Sequence, residues 1–308
     1  MTALAAAVED YLALRRGFGH RLVEDGHLLE DFVAYLHVHD LSTITVQAAV
    51  GWASAPLGAE PHRIARRLST IRGFATYRAA FDPATEIPPA RLLAAGIERR
   101  TPYVFSPAEI DALIAAGRRL PQPMDAVTLP TLIGLMAATG IRSGEAFRLN
   151  DDDVDLRGGR ILVAYSKFGK SRQLPVHPST VAALRDYTAR RDALRPWPAD
   201  ASLLVGHHGS RLRSQAVSKA FRGLLAEVPI AVAAPRRPPR LTDLRHTFAV
   251  TTLAGWHADG LDVQSRLPAL STYLGHANPA HTYWYLQAVP ELMGVLADRL
   301  EAFLADPS

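Results

Sequence analysis

The sequence predicts a mainly α-helical protein with one small antiparallel β-sheet, arranged as a helical first domain and an α+β second domain. Three observations carry this expectation. Apolar residues recur on a helical period through roughly the first 80 residues. A proline- and charge-rich stretch, DPATEIPPARLLAAGIERRTPYVFSP, then breaks that period, as a linker does. Farther on, DDDVDLRGGRILVAYSKFGKSRQLPVH alternates around Gly158-Gly159 and again around Gly169, the pattern of about three short strands joined by turns.

In the first domain, residues 1–95, VEDYLALRRGFG places Val8, Leu12 and Leu14 on one helical face and ends at Gly17 or Gly19. LLEDFVAYLHVHD continues with Leu28, Phe32, Tyr35 and Leu36. Thr45 is placed to cap VQAAVGWASA. RIARRLSTIRGFATYRAAF sets Ile64, Leu68, Ile71 and Phe74 on one face and Arg63, Arg66, Arg67, Arg72 and Arg78 on the other. Such an arginine face is either a solvated surface or a strip that neutralises nucleic-acid phosphates.

Residues 96–104 read as the joint and 105–308 as the second domain. Ser106 is a plausible N-cap with Pro107 at the first helical position. TLIGLMAATGIRSGEAFRLN reads as a buried helix, a break at Gly140 and a second helix from about Ser143. The predicted sheet follows. A helix starts near Ser179, another follows the GHHG turn, and PIAVAAPRRPPR is a loop. LTDLRHTFAVTTLAGW, LPALSTYLGH and PAHTYWYLQAV read as helices, and PELMGVLADRLEAFLA closes the chain.

Composition narrows the function. Hydrophobic residues make up 48% of the 308 residues, enough for a sizeable core, while no apolar run approaches the ~18 residues of a membrane span. The opening MTALAAAVEDYLALRR carries Glu9 and Asp10 and lacks the basic start of a signal peptide. Cysteine is absent, which excludes disulfides and thiolate metal sites and fits a reducing cytoplasm, the expected location. Net charge is +4, which permits a nucleic-acid partner without demanding one. Among 34 cationic residues only Lys167, Lys170 and Lys219 are lysines, and the first two sit together in SKFGKSR. Lysine can give up a proton where arginine cannot, so a lysine kept in so arginine-rich a chain is a candidate proton donor.

Four pieces carry chemistry: ATGIRSGEAFRL with Arg142 and Glu145, SKFGKSRQLPV with Lys167, LTDLRHTFA with Arg245 and His246, and LGHANPAHTYWYL with His276, Tyr283 and Tyr285. In this order and at these separations, across residues 103–308, they resemble the tyrosine recombinase (phage integrase) family. The helical front resembles the family's core-binding, SAM-like domain more loosely. In the family the nucleophile lies nine positions after the histidine of the LGH motif. That register selects Tyr285; Tyr283, two residues away, points elsewhere on a helix.

The resemblance implies that double-stranded DNA is cleaved and rejoined through a 3′-phosphotyrosyl intermediate, without metal or cofactor. A phenol with a pKa of about 10 must lose its proton as it attacks. Negative charge then builds on the non-bridging phosphate oxygens, which Arg142 and Arg245 are suited to fork. Lys167 is the implied general acid for the leaving 5′ oxygen, and His276 a hydrogen-bond donor to the phosphate. Glu145, one helical turn after Arg142, is placed to fix it. One position departs: where the family has histidine or lysine, three residues before the second arginine, this chain has Thr242, a poor base. His246, next to Arg245, is a structural residue in the family and a candidate stand-in.

Candidate DNA contacts are Arg66, Arg67 and Arg72 in the first domain and Arg213, Gln215, Ser218, Lys219 and Arg222 in the second. His207 and His208 read as facing solvent or DNA. The implied partners also include further copies of the chain, as dimers or tetramers on DNA, and accessory recombinase proteins. The apolar stripe Leu292, Val295, Leu296, Leu300, Phe303 and Leu304 is a candidate for assembly or for packing on its own domain. A catalytically weakened DNA-binding member of the same fold and a type IB topoisomerase-like strand-passing enzyme stay open as alternatives.

Overall fold

The structure is a computed structural model that describes residues 3–20, 22–56, 58, 60–90, 92–93, 102–164, 171–195, 200–230, 238–276, 278, 280 and 282–285. It divides into two compact units, residues 1–100 and 101–308.

Among the described residues the first unit has four helices: α1 (Ala3–Gly17), α2 (Val23–Val38), α3 (Val46–Ser54) and α4 (Pro61–Arg78). Their apolar stripes meet in a core where Leu29, Phe32, Trp52, Leu68, Ile71 and Phe74 are buried. Thr45 caps α3, its Oγ1 accepting from the Ala48 N–H at 3.1 Å. Leu14, expected on the inner face of α1, is instead exposed, because the buried row runs through Leu4, Val8, Tyr11 and Leu12.

The early part of the expected linker belongs to this unit. Thr85 is buried, and the Glu86 N–H donates to the Ile44 carbonyl at 2.8 Å. Arg72 donates from Nε and NH2 to the carbonyls of Pro88 and Pro89 at 2.8 and 3.0 Å. The proline run therefore satisfies an arginine rather than spacing two domains. At the other end, Tyr103 and Val104, placed in the joint by their sequence context, are buried in the second unit.

The second unit starts with α5 (Pro107–Arg118), where Ser106 and Glu109 form a capping box. α6 (Pro123–Thr139) is longer than expected because it runs through Pro130. Gly117 on α5 lets that ring approach closely: a Cβ at Gly117 would meet Pro130 Cγ at 3.0 Å. Next come the short α7 (Ser143–Ala146) and the strands β1 (Val154–Asp155), β2 (Arg160–Val163) and β3 (Arg172–Pro175). They form one antiparallel sheet in the order β1-β2-β3, with Val154 opposite Ile161 and Val163 opposite Arg172. Ile161, Val163 and Leu174 point into the core. Lys167 and Lys170 lie between β2 and β3 in sequence, outside the described residues.

Among the described residues four longer helices follow: α8 (Pro178–Leu194), α9 (Ser214–Glu227), α10 (Asp243–Ala258) and α11 (Val263–Leu274). α10 packs on α6 and α11, and α11 touches β3. Residues 282–285 are helical. The closing stripe from Leu292 to Leu304 lies outside the described residues. Among those described, no helix is long and apolar enough to cross a membrane.

α6 ends at Gly140, whose φ is 59°. A Cβ there would lie 2.5 Å from Phe248 Cδ1 and 3.0 Å from Leu274 Cδ2. Gly140→Ala therefore combines a left-handed backbone with a clash against α10 and α11, and a loss of roughly 1–3 kcal/mol is expected. Thermal or urea unfolding measures this; an unchanged midpoint would show that the turn relaxes at no cost.

Candidate active site

Three arginines converge on the C-terminal end of α11. Its last carbonyls point outward without helical partners and carry partial negative charge. Arg172, on β3, donates from Nε to the Tyr273 carbonyl at 2.8 Å. Arg245, in the first turn of α10, donates from NH2 to the Leu274 carbonyl at 2.8 Å. Arg142, at the start of α7, donates from NH2 to the Gly275 carbonyl at 2.7 Å. Three consecutive acceptors thus hold three side chains that start far apart in sequence. Gly275 ends the helix with φ 68°, and a Cβ there would meet Arg172 NH1 at 2.8 Å.

Arg245 is also tied to Gly140, whose carbonyl accepts from its NH1 at 2.6 Å. Its NH2 reaches His276 Nε2 at 2.9 Å. Because a guanidinium only donates, that nitrogen of His276 is the acceptor, and Nδ1–H faces Thr282 Oγ1 at 2.7 Å. Arg245 is 5% exposed. Burial, then the charge of Arg142, lowers its guanidinium to about 10, so it stays charged at neutral pH.

Glu145 holds the other two arginines. Its carboxylate accepts from Arg142 NH1 at 2.8 Å and from Arg172 NH1 and NH2 at 3.1 and 2.8 Å. It also accepts from the Arg142 backbone N–H at 3.2 Å. The expected pairing with Arg142 is present, and Arg172 is the residue that sequence reading missed. The signal was faint: one more arginine in an arginine-rich chain, three positions after Gly169.

Burial of Glu145 opposes its charge, but Arg172 and then Arg142 more than offset this and hold the carboxyl at about 2. A carboxylate held below its unfolded value of about 4.3 contributes stability that is present above that pH and lost as pH falls toward 2. Arg172→Met leaves Glu145 buried with one partner. We expect a loss of roughly 3–5 kcal/mol and an acid-unfolding midpoint moved to higher pH. An unchanged acid midpoint would mean that Arg142 alone stabilises the carboxylate.

Tyr285 lies beside this cluster. It is 2% exposed and belongs to one buried apolar cluster with Val104, Val250, Leu253 and Leu270. It stacks on His276 with centroids 6.4 Å apart and planes 15° from parallel. Its hydroxyl meets His246 Nδ1 at 2.7 Å. Burial raises the Tyr285 pKa, while Arg245 and Arg142 pull it back. Tyr283, by contrast, is 50% exposed. Thr242 is half-buried at the N-cap of α10, where its side chain does not cap the helix.

The structure therefore gathers Arg142, Glu145, Arg245, His246, His276 and Tyr285 in one place. Lys167 lies outside the described residues. In α9, Gln215, Ser218, Lys219 and Arg222 are exposed along a single helical stripe, opposite the buried Val217, Phe221 and Leu224, and Arg213 is exposed at the N-cap. The arginines of α4 differ. Arg67 stacks its guanidinium 3.7 Å over Trp52 and donates to the Trp52 carbonyl at 3.0 Å. Arg72 is held by the proline carbonyls. Arg66 is more open and pairs with Glu24 and Asp25. Two of these three thus have structural work inside their own unit.

The chain is similar to known proteins along most of its length. The family model described as Phage integrase family matches residues 104–291. A Sinorhizobium fredii protein named as an integrase/recombinase, y4rB, is 39% identical over 307 residues, 98% of each chain. Tyrosine recombinase XerD of Caulobacter vibrioides is 29% identical over 298 residues, 94% of this chain and 93% of its own. Among solved structures, the Tn1549 transposon integrase in complex with transposon right end DNA matches with a TM-score of 0.67. Its identity is 16%, a likeness of fold, covering 96% of this chain and 100% of that one.

Proposed function

We propose, since the chain belongs to the phage integrase family, that it is a site-specific recombinase. It cleaves and rejoins double-stranded DNA through a 3′-phosphotyrosyl intermediate. One observation carries the reading: two arginines and a histidine meet at the end of α11, with the Tyr285 hydroxyl beside them.

In this reading Arg142 and Arg245 fork the non-bridging oxygens of the scissile phosphate and stabilise the charge that builds there. Among the described residues, each has N–H groups beyond those bonded to carbonyls, Glu145 and His276. His276, whose Nε2 accepts from Arg245, positions that arginine against the phosphate; the direct phosphate contact that the resemblance implies would need Nε2 to gain a proton and release Arg245. Tyr285 attacks phosphorus, and Lys167 protonates the departing 5′ oxygen. Glu145 and Arg172 keep Arg142 oriented. The phosphotyrosyl bond conserves the energy of the broken phosphodiester, so rejoining needs no nucleotide.

The first unit acts as the helical core-binding domain, and copies of the chain assemble as dimers or tetramers on DNA. The exposed stripe of α9 contacts DNA in the second unit. Lys219→Ala and Arg222→Ala are each expected to weaken binding across sequences and to reduce the salt slope by about 1. Arg67→Ala is expected to lower thermal stability and leave that slope unchanged, because its guanidinium packs on Trp52. Gel-shift titrations across salt concentrations separate the two behaviours; a reduced slope for Arg67→Ala would return α4 to the DNA interface.

The test of the whole reading uses DNA fragments that the protein selects from a sheared genomic library. A nicked version of the selected site traps the covalent intermediate, because the short 5′ strand diffuses away before rejoining. No covalent complex on any selected fragment would leave a DNA-binding protein of this fold. Rapid relaxation of supercoiled plasmids lacking the site would point instead to a type IB topoisomerase-like enzyme.

A further inference from the structure

We propose that His246 is a catalytic residue of this recombinase: its Nδ1 takes the phenolic proton of Tyr285 as the tyrosine attacks phosphorus. The inference rests on the recombinase reading and adds the destination of a proton which that reading leaves unassigned.

Geometry is the first support. His246 Nδ1 and Tyr285 Oη are 2.7 Å apart, within the 2.6–3.2 Å reach a general base needs. The rings are fixed on both sides. His246 sits one residue after Arg245 in the first turns of α10, and its ring lies 5.6 Å from that of Tyr285 and 6.0 Å from that of Trp284. The other histidine of the site is committed elsewhere: His276 Nε2 accepts from Arg245 and Nδ1 faces Thr282. Thr242 has a hydroxyl with no useful basicity.

Electrostatics is the second support. Burial, then Arg245 and Arg240, pushes His246 down to about 4. The imidazole is therefore neutral at physiological pH. With Nε2 carrying its single proton, Nδ1 accepts from the tyrosine. The groups facing this pair are Arg245 on the same helix, Arg240 before it, and Arg142 and Asp243, which act on Tyr285. Arg245, the first of the charges that disfavour an imidazolium, is one of the two arginines that grip the phosphodiester in this reading, so a bound phosphate offsets its effect and the charge accumulating in the transition state offsets it further. Proton acceptance thus becomes favourable where the phosphate sits.

The step balances. The Tyr285 O–H bond breaks and its proton joins His246 Nδ1. The phenolic oxygen forms the bond to phosphorus while the bond to the 5′ oxygen breaks, and that oxygen takes its proton from Lys167. Rejoining runs the same transfers in reverse, with imidazolium returning the proton to tyrosine.

Single-turnover cleavage of the nicked selected site, measured from pH 6 to 9 beside gel-shift binding, tests this. His246→Gln keeps a hydrogen-bonding side chain but accepts no proton. It is expected to bind normally and to cleave about 10²–10⁴-fold more slowly near neutral pH. Its rate should also climb about tenfold per pH unit, as for a phenol that must ionise unaided, more steeply than that of the unaltered protein. A merely structural role would lower the rate by the same factor at every pH. Thr242→Ala is expected to cleave near the unaltered rate. The proposal is overturned if His246→Gln cleaves at the unaltered rate, if its loss is independent of pH, or if Thr242→Ala is the slow variant. If the unaltered protein forms no covalent complex through Tyr285, the recombinase reading itself fails; a complex that forms equally well in His246→Gln removes only the proton acceptor.

Discussion

Tyr285→Phe is expected to bind its DNA site as the unaltered protein does and to form no covalent complex with it. The substitution removes one oxygen and leaves the ring, so the apolar cluster with Val104, Val250, Leu253 and Leu270 survives. The lost hydrogen bond to His246 costs about 1 kcal/mol of stability, because a neutral imidazole is left without that partner. Circular dichroism and a thermal melt should therefore show a folded protein. Denaturing electrophoresis of the trapped reaction should show covalent complex for the unaltered protein and for Tyr283→Phe, whose side chain is exposed, and none for Tyr285→Phe. If Tyr283→Phe is the dead variant, the helix from residue 282 presents the other tyrosine to phosphate.

The second large effect belongs to the arginines. Arg245→Lys is expected to slow cleavage about 10²–10³-fold, the scale of one lost donor set at a phosphoryl transition state. Lysine keeps the charge, so loss of charge is not the cause. It has one nitrogen, which cannot bond the Gly140 carbonyl, the Leu274 carbonyl and His276 while also facing a phosphate. Arg142→Lys is expected to lose a similar factor, since its fork to Glu145 and Gly275 collapses to a single contact. Binding affinity and melting temperature, measured for both variants, separate a slow reaction from a loosened fold. Near-normal cleavage by both would refute the phosphate clamp.

Much of this was readable in one dimension because the signals were local. Helical periods place core residues without reference to the rest of the chain, as for Phe32, Leu68 and Phe74. Caps such as Thr45 and Ser106 act within three residues of themselves. The Gly158-Gly159 turn sets its own strands. The proposed reacting groups were legible for a different reason: Arg142, Arg245, His276 and Tyr285 each sit in a short motif that resembles one of the tyrosine recombinase family.

What stayed hidden depended on partners distant in sequence. Nothing near Arg72 announces that Pro88 and Pro89 will hold it, nor does anything near Arg67 announce the Trp52 ring, so both read as solvated charge or as DNA contacts. Arg172 looked like one arginine among many, although it lies beside Glu145 and at the end of α11. His246 read as a structural residue or a stand-in for the group missing at Thr242, and its contact with Tyr285 stayed hidden because it spans 39 residues. The sequence by itself determined most of the helical and strand elements, the two-part organisation and the family, and it singled out Tyr285 as the proposed nucleophile. Only the tertiary structure decided which cations are committed internally, how three arginines share the last carbonyls of one helix, and that His246 meets the Tyr285 hydroxyl. Those outcomes follow from burial and hydrogen-bond satisfaction between segments far apart in the chain, and these arise only once the helices and strands pack.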